Sequence, residues 1–310
     1  MSQVSEATTI IGELETSLGM PVIVFLSHWQ GEYAVDPGED GGRLLSKVMV
    51  EVYRRHGEPR QMALVLLGRG GESCFADQVL RCAEHLDIEL DVVVPHRIDG
   101  ATALLALGAD RITLHPGGGI GAVDRGLLVT GRQRVDSDIQ ELSGLSLRDL
   151  ASLPESEKGV ITRVARERLV CRDLRRLARR HIAGDKAQWA MMESLGKGAA
   201  LGQAELQNRG LDVRVAPGPL AEQLDELLEW GIDFMHLFED PSQRFEVSAE
   251  VADEVEFEPA TTVPAAVILE AESGYLYELD TGSPDPYAPR LLGGWSSWEP
   301  RALDGECSVE

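Results

Sequence analysis

Residues Asp91–Asp124 read DVVVPHRIDGATALLALGADRITLHPGGGIGAVD, and the reading of this stretch decides the fold. Val92, Val93 and Val94 form an apolar run stopped by Pro95, the pattern of a buried strand and its end. After Gly100 comes ATALLALGA, small and apolar throughout, which predicts a helix buried on every side. Ile112–Leu114 predicts a second short strand, and Gly117, Gly118, Gly119 and Gly121 follow closely. A buried strand feeding a buried helix is a common scaffold for an anion or oxyanion site, because the helix start leaves N–H groups unpaired. Any α/β protein contains such a unit, so it assigns no function by itself.

Working outward, Thr8–Leu18, Leu44–Tyr53 and Cys74–Leu86 have helical spacing, while Val22–Leu26 and Met62–Leu67 are compact apolar strands. Strand–helix alternation of this kind predicts an α/β fold with a mainly parallel sheet covered on both faces. Right-handed crossovers then bring the loops Gly68–Ser73 and His96–Gly100 to the same C-terminal sheet edge. Downstream, Ile161–Ile182 is an amphipathic helix whose polar faces carry eight arginines between Arg163 and Arg180. Gly202–Gln207 and Gly218–Trp230 predict helices, with a strand after Gly210. Beyond Asp240 the composition changes. Phe245–Phe257 alternates apolar and acidic residues, Thr262–Leu269 and Gly274–Leu279 predict strands of a small β-rich appendage, and the tail through SPDPYAPRLLGGWSSWEP reads as loop. The chain thus divides into a main domain, 1–240, and an acidic linker with a β-rich C-terminal segment, 241–310.

The 310 residues carry a formal net charge of −23, which argues against nucleic acid or an anionic membrane as the main partner. No apolar stretch reaches the length of about 18 residues that a membrane span needs. The N-terminal MSQVSEATTIIGELETSLGM has acids where a signal peptide would have a basic start and an apolar centre. Cys74, Cys82, Cys171 and Cys307 form neither a metal-like pairing nor a disulfide framework. The expectation is a cytoplasmic protein without metal or cofactor. The glycines of 117–121 lack the spacing of a dinucleotide fingerprint at a strand-to-helix turn.

Four segments in this order resemble the serine dehydrogenase proteinase family, a branch of the Clp protease/crotonase superfamily related to signal peptide peptidase A. LVLLGRGGESCFADQV is similar to the family's strand, Pro-Gly-Gly-Ser type turn and helix. VVVPHRIDGATALLALGADRITL is similar to its strand, Ser-Ala-Gly-Thr nucleophile turn, small-residue helix and Ala-Asp-Glu-Ile strand. GGIGAVD matches its Leu-Gly-Pro-Ile-Asp loop, and AALGQAELQNRGLDVRV the segment ending in Gly-Leu-x-Val. The resemblance spans roughly Ile10–Leu228. It implies a Clp protease/crotonase-like ββα superhelix, serine-peptidase chemistry on peptides or proteins, and a homo-oligomer, for which Ile161–Ile182 is the candidate contact.

The chain departs from the family at the nucleophile. The family's serine lies ten residues before the aspartate of its Ala-Asp pair; ten residues before Asp110 stands Gly100, and no serine occurs between Glu89 and Asp136. Gly70 and Gly71 keep the place where backbone N–H groups would hold an oxyanion. Thr102 is the one hydroxyl near the turn, either a displaced nucleophile or, as favoured, a threonine bonded to local backbone. Asp99 is either a base or water-holding group or, as favoured, the cap of the following helix. His115 follows its strand as the catalytic histidine does in the Clp protease subunit, or is a polar strand-end residue. Ser73 is a second displaced-nucleophile candidate in the Gly-Gly-Glu-Ser turn, where the family's equivalent shapes the turn. Asp124 matches the loop aspartate, with a structural role favoured.

Three functions are compatible with this pattern. The favoured one is a degenerate, non-catalytic relative that binds peptide or protein or serves as an oligomeric scaffold. The second is a hydrolase using Thr102 or Ser73 with His115 as base. The third is crotonase-type acyl-thioester chemistry, in which backbone amides polarise the thioester and Asp99 moves protons.

Overall fold

The computed structural model describes residues 3–27, 39–68, 73–121, 200–235, 262–271, 274–280 and 293–298. Five strands run parallel in one sheet: β1 (Val22–Ser27), β2 (Gln61–Leu67), β3 (Glu89–Val94), β5 (Arg111–Leu114) and β7 (Val213–Val215). Their order is β1-β2-β3-β5-β7, with Val22 opposite Ala63, Gln61 opposite Glu89, Asp91 opposite Arg111 and Ile112 opposite Val213. Every residue of β1 is buried, as expected of a strand with both faces covered.

Alternate side chains along each strand feed two cores. Ile23, Phe25, Leu64, Leu66, Val92, Val94, Ile112 and Leu114 pack against α2 (Glu39–Arg55), α3 (Ser73–His85) and α4 (Ala101–Gly108). Val22, Val24, Leu26, Val65 and Val93 pack against α1 (Gln3–Leu18) and α6 (Gly218–Met235). The short α5 (Gln203–Gln207) lies beside β7. Two further short strands, β4 (Arg97–Ile98) and β6 (Gly119–Ile120), pair in parallel as a separate ribbon beyond the end of β3. The sequence shows no sign of them, because two residues are too few for a periodicity.

The C-terminal strands are hydrogen-bonded into the main sheet. β8 (Thr262–Leu269) runs antiparallel to β1, with Val24 opposite Leu269, and β9 (Gly274–Asp280) and β10 (Gly293–Trp298) continue the antiparallel edge. β10 corrects the loop reading of the tail: a strand needs only a pairing partner, and β9 supplies one to Gly-Gly-Trp-Ser-Ser-Trp. The segments expected at Phe245–Phe257 and Ile161–Ile182 lie outside the described residues. Among the described residues, no helix is long and apolar enough to cross a membrane.

Candidate functional site

The helix α4 is short, and all eight of its residues are buried. It is held where the parallel strands end. The carbonyl of Gly68, just past β2, accepts from the Asp99 amide at 3.2 Å and from Thr102 Oγ1 at 2.9 Å. Thr102 Oγ1 also lies 2.8 Å from the Asp99 carbonyl, so its single proton is shared between two acceptors. The hydroxyl is fully buried. This is the local backbone bonding favoured for Thr102 on sequence.

Gly100 is the N-cap of α4, with φ 67° and ψ −129° and no side-chain cap bond. That backbone conformation lies where side chains with a Cβ are strained, which is the property of the sharp strand-to-helix turns that present nucleophiles. The residue in this turn has no side chain.

Asp99 does not cap α4, which corrects that expectation. Its carboxylate is drawn away by Arg97, whose Nε donates to Oδ1 at 3.2 Å. It also lies against the Gly121 backbone, where an added Cβ would fall 1.5 Å from Oδ1. The glycine cluster serves this packing. A Cβ on Gly118 would stand 2.9–3.1 Å from the carbonyls of Val94, His115 and His96. The Gly119 and Gly121 amides donate to the His96 and Ile98 carbonyls at 3.0 and 2.7 Å. These glycines let two loops touch backbone to backbone.

His115 sits elsewhere. Its Nδ1 accepts from the Gly117 amide at 3.1 Å, so Nε2 carries the hydrogen and faces Asp225 Oδ1 on α6 at 3.3 Å. Among the described residues no hydrogen bond or ion pair joins His115 to Thr102 or Asp99. Thr102 and Asp99 share the α4 turn, whereas His115 pairs with the helix on the opposite layer. The adjacent His96 is held below its ordinary value of 6.5, chiefly by burial and then by the charges of His115 and Arg97. Cys82 donates to the Ser46 carbonyl, and burial pushes its thiol above the ordinary value.

Gly70, Gly71 and Asp124 lie outside the described residues; Ser73 begins α3, and its side chain is likewise outside them. Sequence reasoning missed Ser27, the last residue of β1. Its Oγ is buried without a hydrogen-bond partner among the described residues. A Cβ on Gly68 would come within 2.6 Å of that oxygen and 3.0 Å of Thr102 Cγ2. The available signal was its place two residues after Phe25, on the face that meets α4. Asp225, the partner of His115, was missed because pairing across elements leaves no local pattern, and Arg97 was passed over although it stands two residues before Asp99. Among the described residues no cluster of His, Cys, Asp and Glu could hold a metal ion.

The chain matches no family model and no curated protein. Among solved structures it is similar to the membrane-bound stomatin-specific protease 1510-N, a lysine-to-alanine mutant in complex with a substrate peptide. That pair has 16% identity and a TM-score of 0.40, covering 68% of this chain and 80% of the other. ClpP1 from Listeria monocytogenes superposes with TM-score 0.38 and 11% identity over 67% of this chain and 97% of its own. A monofunctional enoyl CoA isomerase from M. smegmatis gives TM-score 0.34 and 17% identity over 71% and 83%. The α/β class with its mostly parallel sheet rests on the chain's own strand order and register.

Proposed function

We propose that this chain is a serine-peptidase-like protein of the Clp protease/crotonase type, within the serine dehydrogenase proteinase branch, that has lost its nucleophile and binds peptide without cleaving it. One observation carries the reading. Gly100 occupies the strained turn at the start of α4 with φ 67° and ψ −129°, in the position where the resemblance expects serine. Covalent catalysis needs an activated oxygen or sulfur at that point. Thr102, the nearest hydroxyl in sequence, is buried and committed to the Gly68 and Asp99 carbonyls, and His115 faces Asp225 instead. The unpaired amides of a helix start still favour a peptide carbonyl or carboxylate, and an extended peptide fits beside a sheet end as an added strand.

A homo-oligomeric scaffold, joined through the arginine-rich Ile161–Ile182, belongs to the same proposal. The test is reaction of the full chain with a fluorophosphonate probe. No adduct is expected. A stoichiometric adduct lost on Thr102→Ala or Ser73→Ala would replace this reading with that of an active hydrolase.

A further inference from the structure

Helices α1 and α6 pack side by side on the sheet face opposite α4, and neither contains a lysine, arginine or histidine. Glu6 and Glu13 of α1, with Glu226, Glu229 and Asp233 of α6, line one cavity of about 340 Å³. All five are exposed. Glu15 and Asp225 of the same helices meet His56 and His115, whereas none of these five makes an ion pair among the described residues. Glu226 with Glu229 and Glu229 with Asp233 stand at helical spacings where like charges weaken a helix. The groove therefore carries a repulsion that a bound cation would relieve.

A single ion does not fit. Among the described residues no group of His, Cys, Asp and Glu lies close enough to hold a metal ion, so the five carboxylates are spread along the groove. Its lining also includes Ile10 and Trp230, both largely buried, and the Trp230 ring stacks on Phe234 at 5.2 Å. Carboxylates around an indole suit guanidinium groups, which pair with two carboxylate oxygens at once and lie flat on aromatic rings.

The chain holds a matching source of cations. Arg163–Arg180 places eight arginines against two acids, Glu167 and Asp173, in a protein of net charge −23. Arg168, Arg172, Arg175 and Arg179 recur at the intervals that put side chains on one side of a helix. Residues 122–199, which include this segment, are anchored on the far side of the sheet from the groove. Ile120 and Leu201, joined by the Leu201 amide to the Ile120 carbonyl at 2.7 Å, belong to the core beneath α2, α3 and α4. Ile10 and Trp230 belong to the opposite core. A second copy delivers its arginines to the groove without passing around the sheet.

We propose that the α1/α6 groove receives the arginine-rich segment Arg163–Arg180 of a second copy of this chain. The proposal rests on the oligomeric-scaffold reading above and names the surface that the arginines meet. Exchange in both directions gives a closed two-fold dimer.

The test is the solution mass of the full chain, read by size-exclusion chromatography with light scattering. At low salt the parent should have at least twice the chain mass of 33.8 kDa, falling toward that mass in about 1 M NaCl, where charges are screened within a few ångströms. A groove variant (Glu226→Arg with Glu229→Arg) and a segment variant (Arg172→Glu with Arg175→Glu and Arg179→Glu) should each be monomeric, with the circular dichroism of the parent. Their equimolar mixture should regain the parent mass, because each supplies the charge that the other lacks. Variants that keep the parent mass, a mixture of folded variants that stays monomeric, or a parent mass indifferent to salt would overturn the groove contact and leave the scaffold standing. A parent that is monomeric at low salt would overturn both, while the loss of the nucleophile is judged separately by the fluorophosphonate probe.

Discussion

At the residue scale, the proposed function turns on Gly100. Its φ of 67° lies in the region that favours glycine. Gly100→Ser should cost about 1–3 kcal/mol, the price of a Cβ in such a conformation, read as a lower denaturant midpoint; unchanged stability would mean that the turn relaxes. His96 supplies a pH signature. It binds a proton less readily folded than unfolded, so the unfolded chain takes up more protons as pH falls below 6.5. Stability contributed by neutral His96 is present above that value and is lost on acidification toward its lowered folded value. His96→Gln should flatten the fall of thermal midpoint between about pH 7 and pH 5; equal slopes in the two proteins would contradict this. Roles at this scale were the least legible in the sequence. Asp99 read as a cap because it precedes a helix, yet Arg97 takes its carboxylate. Ser27 passed as a strand-end serine because its surroundings come from β2 and α4, far away in sequence.

At the scale of elements, strong local patterns were readable. Thr262–Leu269 was legible to the residue, and β1 and β2 were visible as apolar runs, because burial on both faces leaves few polar positions. Helix α4 was legible for the same reason: eight small or apolar residues in a row have no surface to face. The helix depends wholly on packing, with no side-chain cap and no charged residue in its first or last turn. Leu104→Ala should therefore cost about 2–5 kcal/mol, measured by denaturant unfolding; a change under about 1 kcal/mol would show that the core around α4 collapses readily. The β4/β6 ribbon and β10 escaped, since their pairing is created by register rather than by composition.

At the scale of the whole molecule, the C-terminal strands complete the sheet. β8 covers the free edge of β1, and its Ala266, Val267, Ile268 and Leu269 are buried. Glu270, just beyond, is buried and paired with Arg55 of α2. The division into 1–240 and 241–310 was drawn where composition shifts, and composition carries no information about which edge a strand will join. Truncation after residue 240 would expose the edge of β1 and remove those apolar side chains, so an aggregated or unfolded product is expected by circular dichroism and light scattering. A soluble, cooperatively folding fragment would show instead that 1–240 stands alone. The central claim, a peptidase-like fold that binds peptide and leaves it whole, is tested most directly by prolonged incubation of the full chain with a pool of acetylated hexapeptides. Mass spectrometry of bound and unbound fractions should find retained peptides at full length. Fragments that accumulate with time and protein concentration, and vanish after fluorophosphonate treatment, would contradict it.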